Sequence, residues 1–431
     1  MTTADSPEFS RHPDTAMRIL LVVVYYPPST TSAAQMMRDL AMEFVRQGHQ
    51  VMVVTPGNAL QGATTATMED GVQVVRVHAA EIKAANKVLR LWRESQLSSR
   101  TWKNARDLFT AYRCDLIVYY APSIFWGGLI RRLKSLWKCP AYLVHRDIFP
   151  QWAVDSGIIR KGSLLHRYLR RIELDLYASA DIIGAEAPGN LSYFANGAQG
   201  VGFETEVCYN WIAPISVARP SVSWRSHLGL EGKTVFVYGG NIGPAQDLGN
   251  IVDLATRLRH RDDIRFLLAG DGTEAPRITK EITRRGLINV LLLPPIPQQD
   301  YLACLSEFDI GLVSLNRHIH SHNFSGKFLG YLACGKPTLA SINPGNDLFD
   351  VLRRSGVGIG CVNGDDAALL DAALSLADQP QLRASMGKNA RALAESTFSV
   401  RRAATQILSH FDGKRAPELP ESVLSVSEAA R

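Results

Sequence analysis

The sequence alternates two kinds of segment, and this alternation limits the fold more than any other feature. Residues 19–24 form a continuous apolar run, and residues 35–47 then place apolar side chains at helical spacing. Gly48 ends this helix, and residues 49–55 form the next apolar run. Continuous apolar runs are typical of strands buried on both faces of a parallel sheet. The segment therefore predicts a βαβ unit, in which ligands bind beyond the carboxyl ends of the strands.

The alternation continues through the first half of the chain and then restarts. Pro214, Pro220 and several serines mark a linker over residues 213–226. The strands predicted before the linker are 72–78, 116–120, 141–145 and 180–184, and residues 82–112 are predicted as one helix. The strands predicted after it are 234–238, 265–269, 290–293, 310–314 and 338–340, with helices at 247–259, 274–285, 298–306, 367–377 and 382–395. The pattern predicts two α/β domains with Rossmann-like, doubly wound sheets that face each other across a cleft.

These predicted elements define the domain boundaries. The two domains are expected at 17–212 and 227–395, and the chain length of 431 residues agrees with about 100–200 residues per domain. Residues 396–412 are expected to form a C-terminal helix that packs back towards the first domain. Polar, aperiodic termini predict disorder at 1–16 and 413–431.

Composition excludes several classes of protein. Apolar residues make up 46% of the chain and charged residues 20%, as in a globular protein with a full core. None of the six cysteines lies at a CxxC spacing, so we expect neither a disulfide framework nor a structural metal, and a reducing compartment is favoured. The apolar run at 19–26 is shorter than the about 20 residues of a membrane-spanning helix, and acidic residues before it do not fit a signal peptide. We therefore expect a cytoplasmic protein without a transmembrane helix.

One segment, residues 83–171, concentrates positive charge. It holds 18 Lys and Arg residues against five Asp and Glu residues. Five tryptophans are interleaved with these charges: Trp92, Trp102, Trp126, Trp137 and Trp152. Basic helices with aromatic anchors suit an anionic membrane surface, and we favour this interpretation over a solvated basic face or a nucleic-acid patch.

Three predicted loops at strand ends carry residues suited to a phosphate ligand. They are residues 239–243, Gly270-Asp271-Gly272, and the stretch from Ser325 to Lys327. Glycines let backbone N–H groups approach phosphate oxygens, and a lysine beside a helix start adds a point charge. Each loop alone also fits an ordinary turn of an α/β domain, but three at neighbouring strand ends favour a nucleotide. A Walker lysine motif and a GxGxxG motif are both missing, which disfavours NTP hydrolysis and a dinucleotide oxidoreductase.

A second polar group, His145-Arg146-Asp147, follows a predicted strand of the first domain. A histidine at a strand end is often structural, yet here an arginine and an aspartate stand beside it where a binding cleft is expected. A structural and a functional role are equally compatible with the sequence.

Five stretches in this order resemble the family 4 glycosyltransferases of the GT-B fold, and within them the bacterial branch of L-fucosamine and colanic-acid-type transferases. The stretches are YYPPSTTSAAQ at 25–35 with the helix and strand after it, RDIFPQWAVDSGII at 146–159, YGGNIGPAQDL at 238–248, LLAGDGTE at 267–274 and GKFLGYLACGKPTLASINPGNDL at 326–348. The resemblance covers about residues 17–412.

The resemblance implies an enzyme that transfers a sugar, with retention of configuration, from a nucleotide-diphosphate donor in surface polysaccharide or lipopolysaccharide synthesis. The donor sugar is expected to be an N-acetylated amino or deoxyamino sugar, bound mainly by the second domain. The acceptor is expected to be a polyprenyl-diphosphate-linked saccharide, bound by the first domain at the inner face of the cell membrane, where the protein would be peripheral. The resemblance further implies no divalent metal. No known nucleic-acid motif accompanies the basic segment, so we expect no nucleic-acid partner.

The resemblance also assigns site residues. Lys327 is expected to stabilise the leaving diphosphate, and either His145 or Asp147 to supply the catalytic contact of the first domain. The residues expected to bind the donor are Gly240, Asn241, Gln246, Gly270, Asp271, Gly272, Ser325, Gly326 and Asn346, and those of the N-terminal loop are Ser29, Thr31 and Ser32.

The sequence departs from the family at three places. Asn241 and Gln246 stand where many relatives have Arg and Lys, and the N-terminal loop lacks its usual glycines. Gly330 and His322 stand where relatives carry a pair of glutamates. Two other functions therefore stay open, a nucleotide-sugar epimerase of the same fold and a non-catalytic protein that binds sugar nucleotides.

Overall fold

The computed structural model describes residues 16–57, 62–78, 87–155, 157–197, 202–214, 223–319, 324 and 326–411. Ser325, His322, the tail at 413–431 and nearly all of the N-terminal segment 1–16 lie outside the described residues, as do most of the predicted linker and the start of the predicted helix 82–112. Within the described chain, residues up to 184 form one compact unit together with 404–411, and residues 185–403 form a second.

The elements follow in chain order. The strands are β1 (Arg18–Val22), β2 (Gln50–Gly57), β3 (Thr64–Glu69), β4 (Val72–His78), β5 (Leu116–Ala121), β6 (Ala141–His145), β7 (Ile182–Ala185), β8 (Thr205–Val207), β9 (Thr234–Gly239), β10 (Ile264–Ala269), β11 (Val290–Leu293), β12 (Ile310–Ser314), β13 (Thr338–Ile342) and β14 (Gly358–Val362). The helices are α1 (Ser32–Arg46), α2 (Lys87–Ser95), α3 (Leu97–Ala111), α4 (Gly127–Trp137), α5 (Gln151–Asp155), α6 (Leu164–Tyr177), α7 (Pro188–Gly197), α8 (Trp224–His227), α9 (Gly249–Arg257), α10 (Ala275–Arg285), α11 (Gln298–Glu307), α12 (Gly326–Ala333), α13 (Leu348–Ser355), α14 (Asp366–Asp378), α15 (Pro380–Ser396) and α16 (Val400–Ser409).

The first sheet runs in the order β3-β4-β2-β1-β5-β6-β7-β8. Strand β1 lies between β2 and β5 and is parallel to both, with Leu20 opposite Met52 and Ile117. All three of these side chains are buried, as the continuous apolar runs predict. The sheet order reverses at β1, which is the switch point of a doubly wound sheet.

The second sheet has six strands in the order β11-β10-β9-β12-β13-β14. All of its strand pairs are parallel. Strand β9 sends Val235 and Val237 into the core under α12, and Phe236 and Tyr238 into the core under α9. This alternation buries both faces of the sheet. The strand order places the switch point between β9 and β12. The predicted α/β class with two doubly wound parallel sheets is confirmed.

Several predicted elements differ from the observed ones. The helix predicted at 82–112 is two helices in its described part, because the Gln96 N–H donates to the Arg93 carbonyl (3.2 Å) and interrupts the α-helical bonding between α2 and α3. The edge strand β3 was not predicted, since its TTATME sequence has no apolar run and its residues are mostly exposed. Strand β14 and helices α4 and α6 were not predicted either.

The five tryptophans of the basic segment differ in their exposure to solvent. Trp126 and Trp137 are buried, and the Trp137 indole donates a hydrogen bond to the Phe109 carbonyl (2.8 Å). Trp102 stacks on Phe109 with ring centroids 6.2 Å apart. Trp92 and Trp152 are exposed. Three of the five therefore pack within the fold, and the interpretation of all five as membrane anchors is wrong.

Candidate functional site

The loops after β9 and β10 lie directly against each other in the second unit. The Gly240 N–H donates to the Ala269 carbonyl (2.9 Å), and the Ile242 N–H donates to the Asp271 carbonyl (2.8 Å). A Cβ atom at Gly270 would lie 1.8 Å from the Gly240 carbonyl oxygen, so this backbone contact excludes any side chain there. The predicted adjacency of these two glycine loops is confirmed.

Lys327 joins these loops from the first turn of α12. Its Nζ lies 4.9 Å from the centroid of the Tyr238 ring, a distance typical of a cation–π contact. A Cβ atom placed on Gly240 would lie 3.5 Å from Lys327 Cε, so the lysine stem crosses the glycine loop. The structure thus brings Lys327 and Gly240 together at the switch point, where α/β sheets bind ligands.

Among the described residues, no carboxylate balances the charge of the Lys327 ammonium. Within the described part of the chain, it makes neither an ion pair nor a hydrogen bond, and the aromatic face of Tyr238 is its contact. Burial lowers the pKa of Lys327 to about 8. A desolvated cation of this kind is stabilised by a bound anion, because an opposite charge raises the pKa again.

The neutral pair Asn241 and Gln246 braces the glycine loop. Asn241 Nδ2 donates to Gln246 Oε1 (2.8 Å), and the same oxygen accepts a bond from the Gly243 N–H (3.3 Å). The Asn241 carbonyl accepts a bond from the Tyr238 hydroxyl (2.5 Å). These amides therefore shape the loop and add no charge, which leaves Lys327 as its adjacent cation.

The other predicted donor-binding residues differ in burial and in the hydrogen bonds they already make. The Asn346 side chain is buried, donates to Asn343 Oδ1 (2.9 Å) and accepts from the Leu348 N–H (3.0 Å), so it orders the turn before α13. Asp271 is exposed and accepts a bond from the Gly272 N–H (2.7 Å). Gly326 is exposed at the start of α12. A donor contact for each of these residues stays a prediction.

Gly330, at the position where the family resemblance leads us to expect a glutamate, is buried in the helix interface. A Cβ atom there would lie 3.5 Å from Leu305 Cδ1 and 3.8 Å from Leu302 Cδ2, both on α11. The Cβ atom of a glutamate at this position would therefore contact apolar side chains. The glycine is consistent with the close packing of α12 on α11.

The first unit presents its polar group at the end of β6. His145 is 1% exposed, and its Nε2 lies 3.0 Å from the Tyr177 hydroxyl, which in turn donates to Glu173 Oε1 (2.7 Å). Burial, with a smaller contribution from the Arg146 charge, lowers the pKa of His145 to about 3. His145 is therefore a neutral, buried member of a hydrogen-bonded chain.

Asp147, two residues further on, reaches solvent. The surrounding protein nonetheless limits its hydration, and this desolvation raises the pKa of Asp147 to about 6 against the opposing effect of Arg90. Glu94 raises the pKa further. The structure therefore separates two residues that the sequence could not distinguish, because Asp147 is accessible to a ligand and His145 is not.

The N-terminal loop is held by side chains at both of its ends. The Thr31 hydroxyl caps α1 by accepting a bond from the Ala34 N–H (3.3 Å), and it lies 3.2 Å from the Ser29 hydroxyl. Arg76 Nη2 donates to the Pro27 carbonyl (2.8 Å). Ser32 is exposed at the first residue of α1. The bracing role of Arg76 was not predicted, since it depends on the pairing of β4 with β2.

Each unit is thus a doubly wound domain whose strand-end loops carry polar groups, as in nucleotide-binding α/β enzymes. Residues 31–194 match the sequence model of the family described as "Glycosyl transferase 4-like domain", and residues 223–393 match "Glycosyl transferases group 1". Together the two matches cover most of the chain. The chain belongs to the family 4 glycosyltransferases.

Individual relatives agree with this placement. The chain is 27% identical over 231 residues to "Probable glycosyltransferase WbjE" of Pseudomonas aeruginosa, covering 53% of this chain and 57% of that one. It is 33% identical over 112 residues to "Putative colanic acid biosynthesis glycosyl transferase WcaI" of Escherichia coli, covering 26% and 27%. The matches thus span about half or less of these relatives.

A solved structure shares the fold over nearly the whole chain. Anabaena HepE in complex with UDP-glucose superposes with a TM-score of 0.66 and 16% identity, covering 92% of this chain and 100% of that one. The predicted GT-B fold is confirmed. No helix in the described part of the chain is long and apolar enough to cross a membrane.

Proposed function

We propose that the protein transfers a sugar from a nucleotide-diphosphate donor to a lipid-linked saccharide, in the synthesis of a surface polysaccharide. The observation that carries this proposal is the unbalanced charge of Lys327 beside the Gly240 loop at the switch point of the second sheet. A diphosphate supplies the anion that this cation lacks. The names of the relatives, one of them "Putative colanic acid biosynthesis glycosyl transferase WcaI", support the polysaccharide context.

Lys327 acts on the leaving group in this proposal. As the bond between the sugar and the diphosphate breaks, negative charge develops on the β-phosphate, and a preorganised ammonium stabilises it. Backbone N–H groups of the glycine loops contribute in the same way. We further propose, as the family resemblance implies, that the reaction needs no divalent metal and retains the configuration of the donor sugar.

Asp147 is the group of the first unit that we assign to the donor sugar, because it is accessible and His145 is buried. Its pKa of about 6 keeps most of the carboxylate charged at neutral pH, so it acts as a hydrogen-bond acceptor. The donor sugar is an N-acetylated amino or deoxyamino sugar, and the acceptor a polyprenyl-diphosphate-linked saccharide at the cytoplasmic membrane face.

A panel of UDP-, GDP- and dTDP-sugars, incubated with and without polyprenyl-diphosphate-linked saccharides, tests this function. We expect one donor to be consumed when acceptor is present, with the sugar recovered on the lipid. Epimerisation of a donor without acceptor would instead identify an epimerase. Tight donor binding without turnover on any acceptor would identify a non-catalytic binding protein.

Donor affinity should also depend on pH through Lys327. The charged lysine binds the diphosphate, and its charged fraction falls as pH rises through the pKa of about 8. Affinity for a nucleoside diphosphate should therefore be nearly constant between pH 6.5 and 7.5 and about tenfold weaker at pH 9. Titration calorimetry at each pH measures this, and a Lys327→Met variant should lose the pH dependence. Equal pH dependence of nucleotide affinity in wild type and Lys327→Met would contradict the role of Lys327 in binding the diphosphate.

A further inference from the structure

Exposed apolar side chains are concentrated in one segment of the first unit, from α5 into α6. Among the described residues, eleven large hydrophobic side chains are exposed, and five of them lie between residues 152 and 168. These five are Trp152, Ile158, Leu164, Leu165 and Tyr168. The other six are spread from residue 68 to residue 362. A cluster of exposed apolar groups marks an interaction surface.

Helix α6 packs on the core through one apolar face, and the apolar residues at its start lie outside that face. Leu169, Leu176 and Tyr177 are buried on the inner side, while Leu164 at the first helical residue is 83% exposed. Ser163 fixes the start of the helix, since its hydroxyl accepts a bond from the His166 N–H (3.2 Å). The leucines at this end are therefore held outward by a well-capped helix.

Unbalanced positive charge accompanies the apolar cluster. Arg160, Lys161, Arg167 and Arg171 are exposed. None of these four side chains has an ion-pair partner within the described ranges of the chain, and Asp155 is the one acidic residue in the sequence from 152 to 171.

Two basic residues on the neighbouring helix α4, in contrast, are ion-paired. Arg131 pairs with Asp175, and Lys134 pairs with Asp181 at 2.6 Å. The described residues after 156 in this segment thus combine exposed apolar side chains with exposed cations that no carboxylate pairs. Apolar side chains beside unpaired cations fit an anionic bilayer, which offers hydrocarbon and phosphate at one surface.

We propose that the described residues 152–155 and 157–171 dock the protein on an anionic bilayer. Leu164, Leu165 and Tyr168 enter the interfacial region, and the four free cations contact lipid phosphates. A polyanion in solution would use the cations and leave the leucines without a partner. This inference rests on the proposed function, since a polyprenyl-linked acceptor is reached at the membrane. It restricts the expected membrane contact from the basic segment 83–171 to the region around the start of α6.

Sedimentation of the full-length protein with vesicles tests the proposal at low salt. Wild-type protein should bind vesicles containing phosphatidylglycerol much more tightly than vesicles of phosphatidylcholine alone. Leu164→Glu should weaken binding at least about tenfold, because an apolar contact is lost and a repelling charge is added. Ile288→Glu, at a site of the second unit that is 82% exposed, makes the same change and should leave binding unaltered. Alanine at Arg167 or Arg171 should cost about fivefold each.

Three results would overturn the docking proposal: wild-type protein that stays in the supernatant, equal weakening by the Leu164 and Ile288 variants, or binding to heparin or RNA with none to vesicles. The donor site is measured separately by calorimetry with a nucleoside diphosphate. Wild-type protein that binds the nucleotide but not the vesicles would refute the docking surface alone. Vesicle binding by a protein without nucleotide affinity would refute the proposed function and support the docking surface.

Discussion

Replacing Lys327 by alanine is expected to lower kcat about 10²–10³-fold, the usual loss when one preorganised charge-stabilising group is removed. The lysine contacts the Tyr238 ring and crosses the Gly240 loop, so its charge lies where the leaving diphosphate is expected. Its burial already disfavours the charged form, and removing it should not lower the free energy of unfolding by more than a small amount. Steady-state transfer kinetics and urea unfolding of the same samples measure both quantities.

Lys336 provides a matched control for this variant. It is also a partly buried lysine of the second unit, and burial lowers its pKa, but its Nζ donates to the Ser306 carbonyl (2.7 Å). Lys336→Ala should lower stability by about 1–2 kcal/mol through the lost hydrogen bond and leave kcat near the wild-type value. A Lys327 variant with the kinetics of the Lys336 variant would remove Lys327 from the mechanism.

Asp147 and His145 should respond to substitution in opposite ways. Asp147→Asn keeps the shape of an accessible side chain and removes its charge, so we expect kcat to fall about 10²-fold with no loss of stability. His145→Ala removes a buried partner of the Tyr177 hydroxyl and leaves a cavity, so we expect it to lower the free energy of unfolding by about 2–4 kcal/mol. Kinetics and denaturant unfolding of both variants separate the two effects.

A conservative variant keeps this comparison independent of misfolding. Tyr177→Phe removes the hydroxyl between His145 and Glu173 and preserves the ring. It should lower stability by about 1–2 kcal/mol and retain most of the activity. If instead His145→Ala stayed as stable as wild type and lost activity, while Asp147→Asn stayed active, the two roles would have to be exchanged.

The strand pattern was predictable because burial on both faces leaves a clear trace in the sequence. Strands β4, β6, β11 and β12 begin and end at the predicted residues. Strand β3 was missed because it is a polar edge strand, recognised by its antiparallel pairing with β4 and by no apolar run. Pairing with β4 therefore determines that this segment forms a strand, although its own sequence does not indicate one.

The candidate site was predictable to the extent that it consists of loops at strand ends. Gly240, Gly270 and Lys327 follow three strands whose carboxyl ends meet, so the chain order alone brings them together. Exposure was not predictable in the same way. His145 and Asp147 are two residues apart, and the contact with Tyr177 that buries His145 depends on the packing of α6.

The coupling between Lys327 and the β-phosphate of the ligand tests the central claim most directly. Titration calorimetry of wild type and Lys327→Ala with matched nucleoside mono- and diphosphates gives the four affinities of a thermodynamic cycle. We predict that the β-phosphate strengthens binding to wild type and that Lys327→Ala removes about 1.5–3 kcal/mol of this gain, the range for a charge-assisted hydrogen bond. A coupling energy near zero, with both proteins folded, would contradict a diphosphate site at Lys327.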